Sequence, residues 1–134
     1  MFKLMSSPRF LRAVVWFDAS TGVVLGALHL LLTAPLAEWL GLPPGLLQVT
    51  GAMLLGYAAL AIAIARSEPM PRGWLWVLIV GNLAWALASL LLLGSTLTPT
   101  LLGQAYLLVH VVSVAMLAGL QWFGVRRLPT WAAA

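Results

Sequence analysis

Cysteine is absent from the 134 residues, and charge is scarce. Without thiols the chain can form no disulfide, no thiolate metal site and no cysteine-based quinone relay. Only 7% of the residues are Asp, Glu, Lys or Arg, against roughly 25% in a soluble globular domain. So few charges cannot cover a water-facing surface. Acidic residues are the rarest, with Asp18, Glu38 and Glu68 making the full set of three. No polar stretch is long enough for a soluble domain, so residues 1–134 read as a single transmembrane domain. The net charge of +4 comes from seven scattered cations, which form no patch for nucleic acid.

What is present is apolar: 63% of residues are hydrophobic and the mean hydropathy is +1.04. Four apolar segments, at about 13–33, 46–65, 73–93 and 101–123, are each long enough to cross ~30 Å of hydrocarbon. They are separated by "TAPLAEWLGLPPG", "RSEPMPRG" and "GSTLTPT", which are rich in helix-ending Pro and Gly. The predicted fold class is an all-α membrane protein, a four-transmembrane-helix bundle. The first span is too long for a signal-peptide core and carries an internal Asp18, so it is expected to be retained. Within the first connector, Leu36, Trp39 and Leu40 lie at helical spacing beside Glu38, which predicts a short interfacial helix over about 35–41.

Orientation follows from the cations. Lys3, Arg9 and Arg12 precede the first span, Arg66 and Arg72 lie between the second and third, and Arg126 and Arg127 follow the fourth. The other two connectors contain no Lys or Arg. The positive-inside rule therefore puts N and C termini in the cytoplasm. Tryptophan follows the same division, with Trp16, Trp74, Trp76, Trp122 and Trp131 expected at the inner boundary and Trp39 at the outer one. Trp85 lies deep within a span.

The few polar residues inside the spans carry whatever chemistry there is. At 100° per residue, Asp18, Gly22, Gly26, His29 and Thr33 fall within about 80° of one another. Gly22 and Gly26 form a small-xxx-small pair that lets a second backbone approach. With Gly51, Ser89 and Ser113 they are the expected helix-packing positions. Asn82, Trp85 and Ser89 share a face of the third span, and Gly103, Tyr106, His110, Ser113 and Gln121 a face of the fourth. At ~1.5 Å rise per residue from the cytoplasmic end, Asp18 lies roughly 8 Å deep, and Tyr57 and Asn82 roughly 12–13 Å. His110 lies near 20 Å, and His29, Ser89 and Gln48 near 24–25 Å. Two layers are predicted, one around Asp18 and one around His29.

Asp18, Asn82 and Tyr57 are the candidate intramembrane proton site. The plainer reading is an aspartate joining helices by hydrogen bonds, with Asn82 as partner or with Arg12 or Arg127 within reach. His29 and His110 read as hydrogen-bonded packing; the sharper alternative is paired axial ligation of a haem. No metal site is expected. A faint repeat also shows: Asp18 precedes Pro35 by 17 residues, and Asn82 precedes Pro99 by 17. This spacing suggests two related helical hairpins in parallel orientation.

Asp18 with "TGVVLG", "LAEWLGLP", "GAMLLGYAALA", "NLAWALAS" and "LQWFGVRR" resembles an uncharacterised group of small bacterial four-helix integral membrane proteins, over nearly the whole chain. The resemblance implies a multi-pass protein of the bacterial cytoplasmic (inner) membrane and carries no activity. It also implies that His110 is not an obligatory ligand, since glutamine is common there among such relatives.

Three functions compete. The first is a non-enzymatic accessory subunit or self-associating bundle whose partners are membrane lipids and either its own copies or a larger membrane complex. The second is a small proton-coupled transporter using Asp18. That plan is similar to the small multidrug resistance transporters, but the seven-to-none charge bias and the residues around Asp18 depart from them. The third is a haem- or quinone-binding protein using His29 and His110. One carboxylate and two separated histidines do not make the clustered titratable groups an enzyme needs, so no cofactor and no catalysis are expected.

Overall fold

The computed structural model describes residues 7–128 and is helical, with no strand among the described residues. Five helices follow in order: α1 (Pro8–Leu31), α2 (Thr33–Leu40), α3 (Pro44–Arg66), α4 (Arg72–Leu93) and α5 (Leu101–Arg126). Four of them are long and apolar enough to cross a membrane, with mean hydropathies of 1.6 to 2.1. The chain is a small multi-pass membrane protein. Lys3 and Trp131, expected near the cytoplasmic boundary, lie outside the described residues.

The helices outrun the apolar segments, and their caps explain where they stop. α1 begins at Pro8 rather than near 13 because Ser7 accepts a bond from the Phe10 amide at 3.1 Å and proline suits the first helical position. α2 starts after a single residue, Leu32, and ends where Gly41 adopts φ 65°, a left-handed conformation that glycine adopts without steric cost. Thr100 caps α5 by accepting from the Gly103 amide at 3.1 Å. α5 runs to Arg126, one turn beyond the apolar run, and Arg126 and Arg127 lie over the rings of Trp122 and Phe123 at 4.8 and 4.0 Å.

Two tight pairs build the bundle, α1 with α3 and α4 with α5, and α1 meets α5 to join them. The α1–α3 contact is a glycine seam. A Cβ on Gly22 would meet the Ala58 Cβ at 3.2 Å, and one on Gly51 would meet the His29 Cβ at 2.9 Å and the Gly26 carbonyl at 3.1 Å. By contrast, α3 and α4 touch little, although they are consecutive in sequence. Where the arginines gather, Leu11, Val15, Leu75, Leu78, Ala118 and Val125 form the core. Arg12 there donates to the Ala65 and Ser67 carbonyls at the end of α3 and approaches Glu68 at 3.5 Å. Those carbonyls lack helical partners, so the cation both completes their hydrogen bonding and meets the negative end of the helix dipole.

At the opposite end α2 folds over the bundle. Leu40 and Leu42 pack on Leu47, and the Thr100 amide and hydroxyl bond the Leu40 and Trp39 carbonyls. Gly103 leaves room for the Leu40 carbonyl, which a side chain would strike. The outer surface is apolar almost all round, with Phe17, Leu31, Val80, Leu91, Val109 and Val112 each more than half exposed. Trp16, Trp39, Trp74, Trp76 and Trp122 are also exposed.

Candidate functional site

Between the two helix pairs lies a cleft of about 670 Å³. α1 and α5 close its back. Its mouth lies between α3 and α4, where the lining residues Val49, Met53 and Leu91 are exposed on the outer surface. The cleft therefore opens sideways, toward hydrocarbon, while Leu42 and Leu46 line it beneath α2. Most of its wall is Leu, Val, Ala and Met, and polar side chains gather toward its two ends.

The end nearer the arginines is built on Asp18, which is only 3% exposed. One carboxyl oxygen, Oδ2, accepts three hydrogen bonds: from Tyr57 Oη at 2.7 Å, Asn82 Nδ2 at 2.9 Å and Gln121 Nε2 at 2.6 Å. Asp18 is on α1 and its donors come from α3, α4 and α5, so all four spans meet at one atom. Asn82 also lies 3.3 Å from Gln121 Oε1. Gly81 makes space for the Tyr57 ring, since a Cβ there would meet Tyr57 Cε2 at 3.0 Å. The other carboxyl oxygen takes no hydrogen bond among the described residues, and Asp18 lines the cleft.

The opposite end is built on His29. Thr50 has one hydroxyl proton, which goes to the Leu46 carbonyl at 2.8 Å. With that proton on the α3 backbone, the Thr50 oxygen accepts from His29 Nδ1–H at 3.0 Å and Nε2 accepts from the Tyr106 hydroxyl at 2.7 Å; the opposite tautomer reverses both bonds. Tyr106, His29 and Thr50 thus form one hydrogen-bonded chain that ends on the α3 backbone. The Tyr106 ring lies 6.0 Å from that of His29 and 5.0 Å from that of His110, and His110 lies 6.5 Å from Trp85.

The structure brings Asp18, Asn82 and Tyr57 together, as their similar depths suggest, and adds Gln121 as an equal member. Gly22, Gly26 and Gly51 all lie in the α1–α3 seam. Ser89 is buried in the cleft wall, and Ser113 is half-buried on α5 without a hydrogen bond among the described residues. Three of the alternatives left open by the sequence meet a different geometry. Arg12 turns away to the end of α3 and Arg127 stacks on Phe123, so no arginine attends Asp18. Gln48 has the right depth for the His29 layer, yet it is exposed, and Thr50 occupies that place instead. The two histidines do not face each other across an open gap: both His29 nitrogens are hydrogen-bonded, and the Tyr106 ring contacts both imidazoles.

A sequence signal for Gln121 does exist. Asp18 and Asn82 are 64 residues apart; Tyr57 and Gln121 are also 64 apart, as are Pro35 and Pro99 and the first residues of α1 and α4. The four groups of the Asp18 cluster are thus two pairs related by one spacing, one member of each pair in each helical hairpin.

Fold and site together define a class, a four-helix multi-pass membrane bundle with a laterally open apolar cleft ending in two buried polar clusters. Compared with protein families, curated proteins and solved structures, the chain has no significant match.

Proposed function

We propose that this chain is a non-enzymatic binding protein of the bacterial cytoplasmic membrane. Its termini lie in the cytoplasm, and it holds a lipophilic molecule in the cleft, either alone or as an accessory component of a larger membrane assembly. The observation carrying this reading is the cleft of about 670 Å³ between α3 and α4. That size falls within the roughly 300–1,000 Å³ of sites for drug-sized ligands, which are likewise mostly apolar with a few placed polar groups. A passive bundle would close such a gap, because van der Waals packing is what drives helix association in lipid. The orientation rests on seven cations falling on one side of the chain's four spans. The test is gentle extraction into lipid nanodiscs followed by native mass spectrometry. A retained apolar small molecule, absent when Met53→Trp fills the mouth, is expected. Equal retention by both proteins, or no retention and no uptake of alkyl probes, would refute the reading.

A second reading, proton-coupled movement of that molecule, is favoured by the position of Tyr57. Its hydroxyl lies 2.7 Å from Asp18 Oδ2 and 3.2 Å from the Leu78 carbonyl. With Asp18 ionised, Tyr57 donates to the carboxylate. With a proton on Oδ2, the carboxyl donates to Tyr57, whose own proton turns to Leu78. Both charge states leave the phenol satisfied. Proton-coupled flux of the bound molecule in proteoliposomes, lost in Tyr57→Phe, tests it; flux that ignores the proton gradient refutes it.

A further inference from the structure

Two side chains in the cleft wall have polar atoms that make no hydrogen bond among the described residues. His110 is 7% exposed and Ser89 is 4% exposed. Both line the cleft, and neither makes a hydrogen bond among the described residues. No fully enclosed side-chain N or O lacks a partner among the described residues, so the polar atoms of these two open onto the cleft, where a bound molecule can supply the hydrogen bond that a mostly buried polar group needs. They sit close in the fold: His110 on α5 faces Trp85 of α4 at 6.5 Å, and Ser89 stands one turn beyond Trp85 on the same face.

We propose that this part of the cleft binds a neutral lipid of the quinone type, a flat ring bearing carbonyl oxygens on an apolar tail. The assignment rests on the reading that the cleft holds a lipophilic molecule, and it names the head group. His110 N–H and the Ser89 hydroxyl donate to the carbonyls. The rings of Trp85, His110 and Tyr106 bound the flat head, and the tail leaves past Met53 and Leu91 through the mouth between α3 and α4. A charged head is disfavoured because no Lys or Arg among the described residues lines the cleft. The single acid, Asp18, lies a helix rise of roughly 10 Å away, as counted from Asn82 to Ser89 along α4. An ionised phosphate or carboxylate would be desolvated without a counter-charge. A plain hydrocarbon would leave both donors bare. His29 does not compete for the ligand, since both its nitrogens are engaged.

The test compares binding of decylubiquinone and decylbenzene, the second having the same tail and a ring without oxygens, to the full chain in nanodiscs, with empty nanodiscs subtracted. Decylubiquinone is expected to bind more tightly. Ser89→Ala and His110→Phe each remove one donor and are expected to weaken it about 3- to 10-fold, leaving decylbenzene unchanged. If His110→Phe fails to fold, as its melting curve would show, Ser89→Ala decides, since alanine suits a helix. Equal binding of the two probes, or decylubiquinone binding indifferent to the substitutions, overturns the quinone assignment while leaving a lipophilic cleft intact. Failure of both probes to bind overturns the cleft reading as well.

Discussion

Replacing Asp18 by alanine removes the only atom, among the described residues, at which all four spans are hydrogen-bonded together. Three donors lose their acceptor: Tyr57 at 2.7 Å, Asn82 at 2.9 Å and Gln121 at 2.6 Å. Interhelical hydrogen bonds within membranes average about 0.6 kcal/mol, because the unfolded chain in lipid finds partners too. Bonds to an ionised acceptor are roughly twice as strong as neutral ones. Three bonds therefore place the loss between about 2 kcal/mol for a neutral carboxyl and about 4 kcal/mol for a carboxylate. Asp18→Asn separates the acceptor from the charge, since its amide oxygen can take the place of Oδ2 and its NH2 can face the cleft. It should cost no more than about half as much as alanine. The assay is reversible unfolding in mixed detergent micelles, followed by helical circular dichroism. A loss below about 0.5 kcal/mol for Asp18→Ala, or asparagine as damaging as alanine, would refute the view that the accepting oxygen ties the bundle together.

Other outcomes follow from the same geometry. Gly51→Ala forces a methyl against His29 and the Gly26 carbonyl, and by the usual cost of overpacking it should lose about 1–3 kcal/mol in the same assay. Gly56→Ala on the same helix meets nothing within 4 Å and should be neutral or gain up to about 1 kcal/mol. Thr50→Val and Tyr106→Phe each remove one bond to His29, about 0.6 kcal/mol apiece. Their combined loss should fall short of the sum, because the histidine's orientation depends on both, and strict additivity in a double-mutant cycle would argue against a coupled chain. Reporter fusions in the segment holding Arg66 and Arg72 should give a cytoplasmic signal; an external one would reverse the proposed orientation.

The architecture was legible in the sequence because composition and hydropathy alone demand lipid and four helices. Depth was legible too, since helical rise is nearly constant, and it grouped Asp18, Asn82 and Tyr57. Rotation about the helix axis was not. Gln48 and Thr50 differ by two residues, but only Thr50 turns toward His29, because the Gly26–Gly51 contact sets how α3 faces α1. Gln121 reads from the sequence as an interhelical hydrogen-bonder, and it is one, but its partner is not legible there. Its place beside Asp18 depends on α5 packing against α1, which no single-helix pattern reports. The histidines lie at neighbouring depths, so a shared ligand was a fair expectation until Tyr106, a polar aromatic on the same face as His110, proved to fill the space between them. The cleft itself had no sequence signature, because its wall and the lipid-facing surface use the same aliphatic residues.

The sideways mouth between α3 and α4 sets the terms on which any occupant arrives. Such a molecule never sheds water at the door; it shed it on dissolving in the bilayer. Occupancy then tracks its mole fraction among lipids, and exchange is governed by two-dimensional diffusion and by how readily α3 and α4, which barely touch, move apart. Two compounds with equal affinity for the cleft would look very unequal in a titration scaled to bulk volume, in proportion to their partitioning.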